Sequence, residues 1–207
     1  EQHEGPIDPH TWTSPTRVVA MVKTINTTLS ELDPANAADY SANAQTYIDK
    51  LVSLNSSIIN YMEGVQNRHL FVFHPSWGYF AHDYGLEMIA LEEEGKDPSS
   101  EHFQEVVDLA KEKEVGVIFT QAQFSDEQAR AFSEEVCVGI QKIDPLSPNY
   151  VENMNQTAQI IAEKLDQEPV CTSGIPGYPF YITIMVGITA VVGLITHKKK
   201  SLQMEEM

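Results

Sequence analysis

The sequence after Gly64 alternates short apolar runs with helical patterns, and this alternation constrains the fold more than any other feature. Apolar runs predict four strands, at 70–73, 86–91, 115–119 and 138–143. The helices that follow them are predicted from Pro75 to Gly85, from Ser99 or Ser100, from the capping box Ser125 to Gln128, and from Ser147-Pro148 to about Leu165. Strand–helix repeats with short connections predict an α/β fold with a parallel four-stranded sheet and flanking helices.

Two further helices are predicted before this alternation. Ser14-Pro15 is a cap and first-turn pair that begins the first helix. Asp33-Pro34 begins the second, whose apolar stripe continues to Met62. The second helix would have about 30 residues and a length of roughly 45 Å. A helix of this length is typical of a strut that lies along or between two lobes.

Composition excludes some classes of function. The chain has 207 residues, 42% of them hydrophobic, which is enough for a packed core. Its formal net charge of −17 argues against a nucleic-acid partner, because phosphates would repel it. Cys137 and Cys171 are the two cysteines, so the sequence has neither a disulfide framework nor a CxxC metal knuckle. Whether the two cysteines pair is left open.

The C-terminal part predicts a membrane anchor. Residues 166–177 are a polar tether, and residues 178–196 are an uncharged, mostly apolar run. As a helix this run would be about 28 Å long, close to the thickness of a bilayer core. The tail 197–207 begins with His197 and three lysines and is predicted to be cytoplasmic. The main domain is therefore expected outside the cell membrane, held by a single span.

Three residues are candidate metal ligands. His74 ends the first strand, Asp144 ends the fourth, and His10 lies in a loop before the first helix. The carboxyl ends of parallel strands share one edge of a sheet, where such folds bind ligands. Two imidazoles and a carboxylate suit a zinc-like or manganese-like cation. On these residues alone a metal site, an anion site and simple turn or capping roles all remain open.

Other polar residues also lie near the predicted strand ends. Gln121 and Gln123 end the third strand and are candidates for hydrogen bonds to the ligands. The glutamates 92–94 follow the second strand and are interpreted as a solvated loop without a site role. The remaining histidines considered, His69, His82, His102 and His197, are not predicted to be ligands.

Six motifs in order carry a family resemblance. They are Asp8-Pro-His-Trp-Thr-Ser-Pro15, Tyr40-Ser-Ala-Asn-Ala-Gln-Thr-Tyr47, His74-Pro-Ser-Trp-Gly-Tyr-Phe80, Tyr84-Gly-Leu86, Gly95-Lys-Asp-Pro98 and Ile143-Asp-Pro-Leu146. From about Asp8 to Leu165 the chain resembles the solute-binding proteins of zinc and manganese ABC importers, the zinc-uptake/adhesin-like cluster. The resemblance implies two α/β lobes joined by one long helix, with a metal held in the cleft and delivered to an ABC permease.

The resemblance also implies the ligand roles and the domain organisation. His10, His74 and Asp144 match the second, third and fourth ligand positions of the family. The first ligand and most of the first lobe would precede residue 1, so the chain is expected to be a fragment or truncated product that binds metal weakly. The implied division is a lobe remnant (1–33), a linking helix (34–63), an α/β lobe (64–165), the tether, the anchor and the tail.

Histidine at position 74 favours Zn²⁺ as the transported ion, although Mn²⁺ is possible, because imidazole suits the softer ion. A metal-dependent hydrolase is disfavoured, since the sequence has no HExxH helix and no acidic residue flanking His10 or His74 in a metalloprotease arrangement. The chain is therefore predicted not to be an enzyme. A membrane-anchored adhesion or interaction protein of the same fold remains the alternative.

Overall fold

A four-stranded sheet with all strands parallel forms the centre of the protein. The computed structural model describes residues 7–93, 96–121, 123 and 126–170. The strands are β1 (His69–Val72), β2 (Glu87–Ala90), β3 (Val117–Thr120) and β4 (Gly139–Lys142), in the order β2-β1-β3-β4. The parallel sheet and its flanking helices confirm the predicted α/β fold.

Six helices are found in these ranges. They are α1 (Pro15–Leu32), α2 (Ala37–Met62), α3 (Gly78–Asp83), α4 (Ser100–Glu112), α5 (Asp126–Val136) and α6 (Tyr150–Leu165). Short 3-10 turns, Thr11–Thr13 and Pro34–Asn36, precede α1 and α2. Ser14 caps α1, and its hydroxyl accepts from the Arg17 backbone N–H. Ser99 caps α4 in the same way, through the backbone N–H of His102.

Each face of the sheet packs against its own hydrophobic cluster. On one face Leu70 and Val72 of β1 join side chains of α2, α3 and α6, including Ile58, Phe80 and Ile161. On the other face Phe71 and Phe73 join side chains of α4 and α5, including Val107 and Phe132. Successive residues of a strand point to opposite faces, so a strand covered on both sides is apolar throughout. This burial on both faces fixes the position of His74, which lies two residues after β1.

Two helices that follow strands begin later than the sequence predicted. The helix expected from Pro75 begins at Gly78, because a turn closed by the Ser76 N–H on the His74 carbonyl (2.8 Å) precedes it and buries Ser76 and Trp77. The helix expected from Ser147-Pro148 begins at Tyr150. Residues before it pack against the first 3-10 turn, where the Pro145 carbonyl accepts from the Trp12 indole (3.0 Å).

The long second helix is close to its prediction. Pro34–Asn36 forms a 3-10 turn in place of the first helical turn, and α2 then continues to Met62. Gly64 follows in a left-handed conformation (φ 94°), as expected just past a helix end. Helix α2 packs against both α1 and α6. Whether it joins two lobes stays a prediction.

After α6 the chain crosses the amino-terminal edge of the sheet. The Val170 N–H donates to the Cys137 carbonyl (2.7 Å). A Cβ at Gly116 would lie 1.8 Å from the carbonyl oxygen of Gln167, so a residue with a side chain would displace this crossing. The last described residues are therefore fixed at the edge opposite the carboxyl ends of the strands.

Among the described helices, none combines the length and apolar character needed to cross a membrane. The predicted anchor at 178–196 and the tail at 197–207 lie outside the described residues, as does Cys171. Those predictions therefore stay predictions, and the pairing of Cys137 with Cys171 stays open.

Candidate metal centre

His74 lies at the carboxyl end of β1, one of the two inner strands of the sheet. Side chains of β1 are buried on both faces of the sheet, and Phe73, immediately before His74, is buried as well. The Phe73 N–H donates to the Phe119 carbonyl (2.8 Å), which extends the pairing with β3 up to this point. His74 is therefore held by the sheet itself at the predicted binding edge.

His10 reaches the same edge from the loop before α1. Its carbonyl accepts from the Thr13 hydroxyl (2.9 Å) and from the Thr13 backbone N–H (3.1 Å), which closes the 3-10 turn. Its backbone N–H donates to Asp8 Oδ1 (2.9 Å). These local bonds orient the imidazole towards the sheet.

The two imidazoles meet with their Nε2 atoms facing each other. The Nε2 atoms of His10 and His74 are 3.4 Å apart, and the ring centroids are 5.2 Å apart at an interplanar angle of 85°. Two nitrogens at about 2.05 Å from a tetrahedral zinc ion would be about 3.3 Å apart, and their ring centroids about 5.2 Å apart. The pair already has the separation that two zinc ligands need.

A carboxylate binds the other nitrogen of each ring. Asp8 Oδ1 lies 2.7 Å from His10 Nδ1, and Glu92 Oε2 makes a short hydrogen bond with His74 Nδ1. A carboxylate only accepts, so each Nδ1 carries a proton, and a ring of this tautomer that has no second proton presents an Nε2 lone pair. Two such lone pairs facing each other repel unless a proton or a metal ion lies between them. Metal-bound histidines generally donate the other ring N–H to a carboxylate, a backbone carbonyl or water, and both rings here have a carboxylate in that position.

Glu92 is the functional residue that sequence reasoning missed. It was interpreted as part of a solvated loop, but it is buried, with 8% of its surface exposed. Its backbone N–H donates to the Phe73 carbonyl (3.0 Å), which continues the β1–β2 pairing past the strand ends. Strand order was the signal that could have found it, because residues after adjacent parallel strands lie side by side.

Asp144, the third predicted ligand, lies at the end of β4 on the same edge. Its Oδ1 accepts from the Leu146 N–H (2.9 Å) and from the Gln123 side chain (3.3 Å). The first bond makes Asp144 a turn residue, as Asp before Pro often is. Across the described ranges no three His, Cys, Asp or Glu side chains converge closely enough to hold an ion, so His10 and His74 come together without Asp144.

The two predicted supporting glutamines lie at different places. Gln123 contacts Asp144, a predicted ligand, and is exposed. Gln121 is buried, and its amide donates to the Ser76 hydroxyl in the turn after His74. Gln121 therefore supports the backbone that carries His74 and makes no direct contact with either imidazole among the hydrogen bonds of the described residues.

The described histidines that were not predicted to be ligands have other contacts. His69 Nδ1 lies 2.9 Å from Asn67 Oδ1, and His102 Nε2 lies 3.1 Å from the Ala90 carbonyl. His82 is largely exposed, and its Nδ1 lies 2.8 Å from Asp83. None of these contacts joins the His10–His74 pair.

With the fold and the histidine pair described, comparison with known proteins gives the family. Residues 1–164 match the family described as zinc-uptake complex component A, periplasmic. The chain belongs to this family, as the resemblance predicted.

Two curated relatives are bacterial metal-binding proteins. The iron-binding protein YfeA of Yersinia pestis is 29% identical over 181 residues, covering 80% of this chain and 57% of YfeA. The zinc-binding lipoprotein AdcA of Streptococcus pneumoniae is 27% identical over 180 residues, covering 81% of this chain and 36% of AdcA. The match thus spans little more than half of one relative and about a third of the other.

Solved structures give the same fold. A crystal structure of ZnuA superposes with a TM-score of 0.74 at 36% identity, covering 80% of this chain and 68% of ZnuA. A zinc-bound deletion mutant of ZnuA gives 0.73 at 38% identity, covering 78% and 62%. The laminin-binding protein Lmb of Streptococcus agalactiae, described as an adhesin with metal-transporting activity, gives 0.72 at 22% identity, covering 77% and 65%. At that identity Lmb supports the fold alone.

Proposed function

We propose that this protein captures a divalent metal ion, zinc in preference to manganese, and delivers it to an ABC importer in the membrane. The observation that carries the proposal is the facing pair of Nε2 atoms, 3.4 Å apart, each on a ring whose Nδ1 is bound by a carboxylate. Membership in a zinc-uptake family supports the same function. The protein binds and releases the ion and catalyses no reaction.

Zinc is favoured by the donor set. Two neutral imidazoles match a borderline-soft ion better than they match Mn²⁺, which prefers oxygen ligands. The zinc-binding name of AdcA and the zinc-bound ZnuA structure point the same way, whereas YfeA is named for iron. The His10–His74 pair would supply two ligands, and Asp144 is proposed as a third through its Oδ2 atom.

The partners and the location follow from this function. A metal carried by a binding protein must pass to a membrane permease, and the family description places its members in the periplasm. We propose that the domain formed by residues 7–170 works outside the cytoplasmic membrane. The predicted C-terminal span at 178–196 would keep it at the membrane surface.

The test is competitive titration of the full 207-residue protein with Zn²⁺, Mn²⁺ and Fe²⁺. We expect one Zn²⁺ per chain, displacing the other two ions, and loss of binding in the double variant His10→Ala/His74→Ala. The matched control is His69→Ala/His102→Ala, which removes two histidines away from the pair and should leave the zinc affinity unchanged. Absence of zinc binding, or equal binding by both double variants, would refute the proposal.

A further inference from the structure

Asp83, the last residue of α3, collects hydrogen bonds from the segment that carries His10. Its carboxylate accepts from the hydroxyls of Ser14 (2.5 Å) and Thr16 (2.8 Å) and from the guanidinium of Arg17 (3.3 Å). His82 Nδ1 lies 2.8 Å away. Three of these four partners belong to the start of α1, and Asp83 lies 66 to 69 positions from them in sequence. This contact joins distant parts of the chain.

The surroundings of the Asp83 carboxylate stabilise its ionised form. The Asp83 side chain is 16% exposed. Partial burial by itself would raise the pKa of Asp83, but hydrogen bonds from Ser14, His82 and Thr16 and the charge of Arg17 outweigh it and lower the pKa to about 2. Asp83 is therefore an anion that binds the N-terminus of α1 at any physiological pH.

Helix α3 also holds the chain on the other side of His10. The Tyr79 hydroxyl donates to the Asp8 carbonyl (3.1 Å), and the Arg17 guanidinium lies 4.1 Å from the centroid of the Tyr79 ring. A Cβ at Gly78 would lie 3.0 Å from Asp8 Oδ2, so a glycine there allows Asp8 to approach the helix closely. Residues 8 and 14–17 are thus both fixed to α3, and His10 lies between them.

A second contact holds the same segment from the side of β4. The Trp12 indole donates to the Pro145 carbonyl (3.0 Å), and the Tyr150 hydroxyl donates to the Trp12 carbonyl (2.8 Å). These are neutral hydrogen bonds. The contact at Asp83 involves an ionised carboxylate, and charge-assisted hydrogen bonds are roughly twice as strong as neutral ones.

We infer that Asp83 is a positioning residue for metal binding: it fixes residues 8–17 against α3 so that His10 Nε2 stays within ligand distance of His74 Nε2. Asp83 does not touch the ion in this arrangement. The inference rests on the proposed function, since it assigns a role within the same site. It predicts that changes at Asp83 act on the metal through His10.

The experiment is a double-mutant cycle with Asp83→Asn and His10→Ala, read by Zn²⁺ titration of the full chain. Asparagine keeps the size and an acceptor oxygen but removes the charge. We expect Asp83→Asn to weaken zinc binding about 10-fold, the scale of supporting residues around metal ligands. In the His10→Ala background the same change should cost less than about 2-fold, because the residue it positions is gone.

The matched control is Asp33→Asn at the other end of α1. Asp33 also accepts from two side chains, those of Asn36 (2.8 Å) and Tyr40 (2.7 Å), but it lies far along the helix from His10. This variant should leave the zinc affinity unchanged. If Asp83→Asn does not fold, Thr16→Val is used in its place, since it removes a single donor to Asp83.

A second readout needs no metal. In the metal-free protein, NMR signals of the His10 ring should shift in Asp83→Asn and stay in place in Asp33→Asn. Unchanged His10 signals, or an equal loss of zinc affinity with and without His10, would overturn the positioning role. If the wild-type protein bound no zinc while the His10 signals still shifted, the proposed function would fail and the structural contact would stand.

Discussion

His10 and His74 supply the same chemical group, but the protein holds them in different ways. His74 follows an inner strand buried on both faces, and its carboxylate partner Glu92 comes from the adjacent strand. His10 lies in a loop, its partner Asp8 is two residues away, and side-chain contacts to α3 fix the loop. One half of the site is therefore built by strand pairing and the other by a loop that side-chain contacts fix to α3. The two halves should respond differently to substitution.

The largest effect is expected from removing the imidazoles. His74→Ala should weaken zinc binding on the order of 100-fold or more, above the range for residues that only support a ligand. His10→Ala should cost less, because a ligand on a rigid strand loses less conformational freedom on binding than one on a loop. Zinc titration of both variants measures the difference. Equal losses would mean that the two halves are equally rigid, and a larger loss for His10→Ala would reverse the comparison.

The supporting carboxylates come next. Glu92→Gln should weaken zinc binding about 10- to 100-fold, and Asp8→Asn by less than about 10-fold. Glu92 is buried with 6% of its side chain exposed, whereas 34% of Asp8 is exposed and water can replace its bond to His10. Circular dichroism spectra of both variants check that the fold is retained. A stronger effect of Asp8→Asn would contradict the comparison.

A smaller effect is expected from Asp144→Asn. Both hydrogen bonds recorded for its carboxylate within the described residues go to Oδ1, and asparagine can keep them and still offer a weak oxygen ligand. We expect about a 10-fold loss of zinc affinity if Oδ2 binds the ion, on the scale of supporting residues. An unchanged affinity would assign Asp144 to the turn alone and reduce the site to the two histidines.

The smallest effect concerns acid stability. The pKa of Asp83 is lowered from 3.8 to about 2, so its anion stabilises the folded protein above pH 4, and this contribution disappears as the pH falls towards 2. A partly exposed pair contributes about 1 kcal/mol or less. Urea unfolding at several pH values should therefore show wild type and Asp83→Asn differing at pH 5 and converging near pH 2. A constant difference would show that the charge of Asp83 is not the cause.

The same contrast explains what could be read from the sequence. Strand–helix alternation, the position of His74 after a buried strand and the Asp8-Pro-His10 motif all depend on neighbours in the chain, and the structure places them as expected. Glu92 could not be recognised from its neighbours in the chain alone, because its role depends on β2 lying beside β1. A run of three glutamates also suggests a solvated loop. The hydrogen bond of the Glu92 backbone to Phe73 becomes visible only in the fold.

Helix starts show the same limit on a smaller scale. Pro75 and Pro148 both suit a first helical turn, yet α3 begins at Gly78 and α6 at Tyr150. Residues a few positions before each helix make contacts with distant parts of the chain: Ser76 with Gln121 and Pro145 with Trp12. Local propensity describes where a helix is allowed to begin, and tertiary contacts decide where it does.

The crossing of the chain at Gly116 has a practical consequence for studying the protein. Gln167 is packed against the amino-terminal edge of the sheet, and Val170 is bonded to Cys137 there. The histidine pair lies at the carboxyl edge, a strand length or about 13 Å away. A protein immobilised on a sensor surface at Val170 itself would present the pair to solution, and a fluorophore attached at that residue would leave both imidazoles untouched.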